Sequence, residues 1–220
     1  MFVSLVGARI LGCLVEKRRT TPDQYPLSLN ALVNACNQTT NRWPVVRYDE
    51  DIVEAGLDEL RTLELIRREK PHGGRAIKYS EMLAHAIPMG DAELALMGVL
   101  LLRGPQTAGE LKGRSERLHE FADLAAVDAA LARLVDHEDG PWVEQLAREP
   151  GRKEPRWRER LSGAGDDAHA DAHVHAGDVA DVTPAGAPLG TPLAQRLDAL
   201  EAEVARLTAI VDGLAPDPRQ

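Results

Sequence analysis

Apolar and polar residues are spaced with helical period from the start of the chain. Val6, Ile10, Cys13 and Leu14, closed by Lys17, fall at i, i+4, i+7, i+8 and i+11 and predict a helix over residues 5–17. The next stretch, RRTTPDQYP, holds Pro22 and Pro26 and is expected to end it. Ser28 is the expected N-cap of a second helix over 29–38, with Leu29, Leu32, Val33 and Cys36 on its buried face. Asn30, Asn34, Asn37 and Gln38 lie elsewhere on it. After the loop TTNRWPVVRY, Asp49 is expected to cap a third helix whose first turn is acidic, as the helix dipole favours, with Val53, Leu57 and Leu60 facing a core. Residues 65–69 and 75–79 read as two short strands joined by a turn at KPHGG.

Helix, helix, helix, strand, turn, strand is the order of a winged helix-turn-helix, and it recurs. ILGCL at 10–14 matches LMGVL at 96–100, an offset of 86, and Val53, Leu57 and Leu60 match Val127, Leu131 and Leu134, an offset of 74. The first copy therefore holds 12 more residues between its first and third helices. In the second copy Asp91 is the expected cap of the first helix, and Thr107 with Glu110 forms a capping box for the second. Strands are expected over 142–147 and 154–161, with Pro150 and Gly151 in the turn. Arg156, Arg158 and Arg160 would share one face of the last strand, opposite Trp157 and Leu161.

The expected fold is mainly α, of the α+β class: two tandem winged helix-turn-helix domains at 1–80 and 81–161. A flexible, disordered linker follows at 162–190, where Gly, Ala, Asp, His and Pro dominate. Leu193, Leu197, Leu200, Val204, Leu207, Val211 and Leu214 then keep a 4-3 spacing, so a coiled-coil helix over 191–215 and a parallel homodimer are expected.

Charge modifies this picture. The net charge of -9 divides as +2 over 1–80, -4 over 81–161 and -7 over 162–220. An acidic whole disfavours indiscriminate nucleic-acid binding, while the first copy can still carry a basic patch. Cys13 and Cys36 sit among apolar residues, so buried free thiols are expected, with no disulfide framework. The apolar start has no basic leader and is interrupted by Arg9, and no stretch is long enough for a membrane span. A cytoplasmic protein without membrane partners is expected.

The most specific stretch is TTPDQYPLSLNALVNACNQTTNRWPV, residues 20–45. Glu16 and Lys17, then Thr20 through Gln38, Asn41, Arg42, Pro44 and Val45, resemble the signature of the YceH-like family of uncharacterised bacterial proteins. The likeness extends over about residues 5–161, weakly in the second copy at TAGELKGRSERLHEF. Trp43 departs from it, standing where a smaller polar or acidic residue is expected. The resemblance implies a pair of winged-helix domains and carries no established function.

Candidate contacts in this stretch are Thr21, Gln24, Tyr25, Asn30, Asn34, Asn37, Gln38, Asn41, Arg42 and Arg47, with Arg68, Lys70 and Arg75 in the first hairpin. Amide side chains can read adenine edges, Arg can read guanine, and hairpin cations can hold backbone phosphates. Asx and Thr side chains also pin irregular loops, and the residues alone do not separate the two readings. The third helix exposes Glu50, Asp51, Glu54, Asp58 and Glu59, which would repel phosphates. DNA binding through the signature and first hairpin is the expected function. The alternative is a protein-binding scaffold like the tandem winged-helix accessory proteins of chromosome segregation, an analogy of fold only. The expected partners are therefore duplex DNA or a protein. No P-loop, GxGxxG, GxSxG or CxxC is present, Glu16 and Lys17 read as surface charge, and no enzyme is expected. His169, His173 and His175 with Asp167 and Asp171 offer metal-binding groups, but a solvated linker is the preferred reading, and no metal or cofactor is expected.

Overall fold

A computed structural model describes residues 2–70, 76–148 and 150–163. The chain opens with α1 (Leu5–Thr20), a 3-10 turn at Pro22–Gln24 and β1 (Leu27–Ser28). Then come α2 (Leu29–Cys36), α3 (Glu50–Thr62), β2 (Ile66–Glu69), β3 (Lys78–Glu81) and the short α4 (Leu83–Ala86). The order repeats as α5 (Asp91–Arg103), α6 (Ala108–Ser115), α7 (Leu124–Val135), β4 (Val143–Gln145) and β5 (Trp157–Glu159). The fold is mixed helix and strand, as expected. The linker, the heptad segment and the His/Asp run lie outside the described residues, as does Arg75.

Local signals set most boundaries. The Ser28 hydroxyl accepts from Ala31 N, the Asp49 carboxylate from Ile52 N, and the Thr107–Glu110 capping box is complete. Asp91 corrects one expectation: it is the first residue of α5, and Gly90 occupies the cap. Helix α1 also runs three residues further than its apolar spacing indicates. The Thr20 and Thr21 hydroxyls donate to Glu16 O and Lys17 O at 3.0 and 3.3 Å, satisfying the end carbonyls before Pro22 stops the helix.

β1, β3 and β2 form an antiparallel sheet in that order, with Leu27 opposite Tyr79 and Arg68 opposite Tyr79 on the other side. In the second copy Gln106 exchanges two backbone hydrogen bonds with Trp157, at 3.0 and 2.7 Å, where β1 would lie. The duplication reaches side chains. Glu81 and Glu159, at matching strand ends, are both buried and accept from the backbone amide two residues on, Leu83 N at 2.8 Å and Leu161 N at 2.6 Å.

The larger correction concerns α1. A single stripe was expected to face the core, yet Gly7 through Val15 are all buried, Arg9 included. Helices α2 and α3 cover one side, and α5, itself buried from Glu93 to Leu102, covers the other. Two glycines permit this crossing. A Cβ at Gly12 would meet Leu102 Cγ at 2.9 Å, and one at Gly98 would meet Val15 Cγ1 at 2.7 Å. The apolar core is therefore continuous through both copies.

Candidate functional site

The signature folds around one buried arginine. Arg42, expected on an exposed binding surface, is instead in the interior. Its Nε donates to Ala35 O at 3.0 Å, and its terminal nitrogens donate to Asn41 O at 2.9 Å and Gln38 Oε1 at 2.8 Å. The same nitrogens hold both oxygens of Glu16, at 3.2 and 2.7 Å. Glu16, read from the sequence as surface charge, has a side chain only 14% exposed, with Lys17 Nζ 3.2 Å from it. Burial pushes the Glu16 carboxyl up, but the Arg42 hydrogen bonds and the Arg42 and Lys17 charges outweigh it and leave it below its ordinary value. Both oxygens of this carboxylate are thus committed to Arg42.

Other signature residues are also occupied internally. Asn37 pins the loop twice, donating to Tyr48 O and accepting from Tyr48 N, both at 2.7 Å. Asn41 takes positive φ, and its Oδ1 accepts from Arg103 of α5 at 2.7 Å. The Tyr25 hydroxyl accepts from Glu81 N at 2.6 Å, and burial pushes its pKa up to about 12. Arg9 donates to Cys36 O at 3.0 Å and Pro44 O at 2.6 Å, while its Nε meets no acceptor. Burial pulls the Arg9 guanidinium down. Cys13 and Cys36 are both buried and free. Trp43 donates its amide to Leu102 O at 2.8 Å, and its ring lies over Gly104, which has φ +67 and where a Cβ would meet Trp43 Cε3 at 2.7 Å.

The signature also borders a polar cleft of about 510 Å³. The last turn of α1 lines one wall with Glu16, Lys17 and Thr20, extended by its C-cap Thr21, and the loop after α2 lines another with residues 37–41. Arg117, from the segment after α6, completes it. Of the expected contacts, Thr21, Asn37, Gln38 and Asn41 meet here. Gln24 is exposed on the 3-10 turn, and Arg47 is exposed on the following loop. Asn30 and Asn34 bond to each other at 3.1 Å on the outer face of α2. Arg68 and Lys70 belong to the β2–β3 hairpin, where Arg67 is exposed with them. Sequence reasoning missed Lys17, Thr20, Thr39, Thr40 and Arg117. The signal for Arg117 was its place in the second stretch of family likeness.

The family model described as "Protein of unknown function, DUF480" matches residues 3–152, which span every wall of the cleft. The UPF0502 protein YceH of Escherichia fergusonii is 43% identical over 211 residues, covering 94% of this chain and 93% of that protein. This chain belongs to the YceH family. The YceH protein of Salmonella paratyphi B is 42% identical over 214 residues, covering 94% of this chain and 93% of its own length. Membership in the YceH family, an uncharacterised one, agrees with the resemblance drawn from the signature. Among the described residues no helix is long and apolar enough to cross a membrane.

Proposed function

We propose that this protein is a non-enzymatic, cytoplasmic tandem winged-helix protein that grips duplex DNA through its first hairpin. The observation carrying this reading is the exposure of Arg67, Arg68 and Lys70 on and beside β2. None of the three forms an ion pair among the described residues, so each is available to a phosphate. In this reading β2–β3 and β4–β5 are the two wings, and the signature is chiefly the frame that seats α2 against α1. Glu50, Asp51, Glu54 and Asp58 are exposed on α3, which supports a grip by the wing over one by a helix in the major groove. Dimerisation through 191–215 would double the contacts.

The test is duplex binding by the intact chain across a salt series, with Arg67→Ala/Arg68→Ala alongside. A steep salt dependence is expected, and the double change should lower the slope of log K against log salt by about two. Absence of binding to any duplex at low salt would end this reading. The second reading, a scaffold for a basic protein partner, is favoured by the same acidic face of α3, on which Ile52 is 37% exposed. A partner lost on Glu54→Lys/Asp58→Lys, with DNA binding absent, would establish it. Deleting 191–220 should convert the dimer to a monomer by light scattering.

A further inference from the structure

We infer that the polar cleft at the end of α1 is a binding site for a phosphate ester carried on a small polyhydroxylated molecule. The inference does not rest on the hairpin reading, since the cleft and the hairpin share no residue. Its first support is charge. Arg42 and Lys17 both neutralise Glu16, the one carboxylate in the lining among the described residues, where Arg117 adds a further cation with no ion pair. The cleft is thus cationic in a chain whose net charge is -9. Its second support is the direction of the amides. Gln38 Oε1 faces Arg42 and Asn41 Oδ1 faces Arg103, and an arginine can only donate. Each amide oxygen is therefore committed to an arginine, leaving the NH₂ groups as the donors still available. Two cations and two amide donors make a setting for an oxyanion.

The rest of the wall takes hydroxyls. Thr20 and Thr21 spend their protons on the Glu16 and Lys17 carbonyls, so their oxygens remain as acceptors. A ligand with an anionic head and hydroxyl donors satisfies both sets. At about 510 Å³ the cleft lies within the range of small-molecule sites, roughly 300–1,000 Å³. Among the described residues no aromatic ring lines it to stack on a base, so the carrier is better a sugar than a nucleobase.

Calorimetric titration of the full chain with ribose 5-phosphate, ribose and a short oligothymidylate tests this. Ribose 5-phosphate should bind and ribose should not. Arg117→Ala, at an exposed position without ion pairs, should fold normally and bind at least about tenfold more weakly. Lys17→Met should do the same, with circular dichroism confirming its fold. If only the oligothymidylate binds, and Arg117→Ala abolishes it, the small polyhydroxylated carrier is overturned and the cleft takes its phosphate from a nucleic-acid backbone instead. Binding of neither ribose 5-phosphate nor the oligothymidylate at millimolar concentration would overturn the inference, as would equal binding of ribose and ribose 5-phosphate, or equal binding by the wild type and Arg117→Ala.

Discussion

Arg42→Ala removes the interaction on which the signature loop hangs. The Arg42 side chain is fully buried and that of Glu16 is 14% exposed. Truncation deletes donors to Ala35 O, Asn41 O, Gln38 Oε1 and both Glu16 oxygens. It leaves the carboxylate with Lys17 alone. Removing one member of a buried pair costs about 3–5 kcal/mol, and because Lys17 stays in place the lower end, about 3 kcal/mol, applies here. Urea unfolding at neutral pH should show this as a fall in midpoint with little change in slope. The pH dependence adds a second check. In the wild type the Glu16 carboxyl lies below its ordinary value, so its stabilisation is full above that value and is lost as pH falls through the lowered one. Without Arg42 burial should raise it, so ionisation costs stability at neutral pH and the cost disappears on acidification. Both effects narrow the gap between the two proteins as pH falls. A loss below about 1 kcal/mol at neutral pH, the size of a surface pair, would refute the reasoning, as would a gap that does not narrow.

Gly98→Ala should destabilise by about 1 kcal/mol in thermal unfolding, because overpacking against Val15 exceeds the helix-propensity gain of about 1 kcal/mol; in a Val15→Ala background the same change should be neutral or stabilising. Glu159 behaves oppositely to Glu16: burial raises its carboxyl, only partly offset by hydrogen bonds from Ser162 and Leu161 and by the Arg158 charge. Its contribution is present below the ordinary carboxylate value and is lost as pH rises through the raised one, so wild-type stability relative to Glu159→Gln should decline over that window, measured by urea unfolding at several pH values. Thr107→Ala should cost about 1 kcal/mol, read in the same assay, by removing one half of the capping box.

The helices of both copies were legible because apolar spacing and capping side chains are local signals. Ser28, Asp49 and the Thr107–Glu110 pair each satisfy an amide within three residues. The burial of Arg42 was not legible, since an arginine among Asn and Gln looks like surface until its acceptor, Glu16, is brought 26 residues back along the chain. The two-residue β1 and the short α4 escaped for a related reason: β1 exists through its pairing with Tyr79 and Lys78, not through its own composition. Arg9 misled in the same way, because its acceptors are the carbonyls of Cys36 and Pro44. In the cleft, the signature residues could be named from sequence, but Arg117 could be joined to them only through the fold.

The crossing of α1 and α5 has a consequence for how the molecule comes apart. Each helix is the innermost element of its own copy and also the wall of the other, so neither copy can open without uncovering apolar residues of both. Local opening at that seam is therefore suppressed, and amide exchange from Leu11 and Leu100 should proceed only through global unfolding, while Arg67 and Arg68 in the hairpin exchange far faster. Damage to either copy, even far from the seam, would then lower the protection of both central helices together.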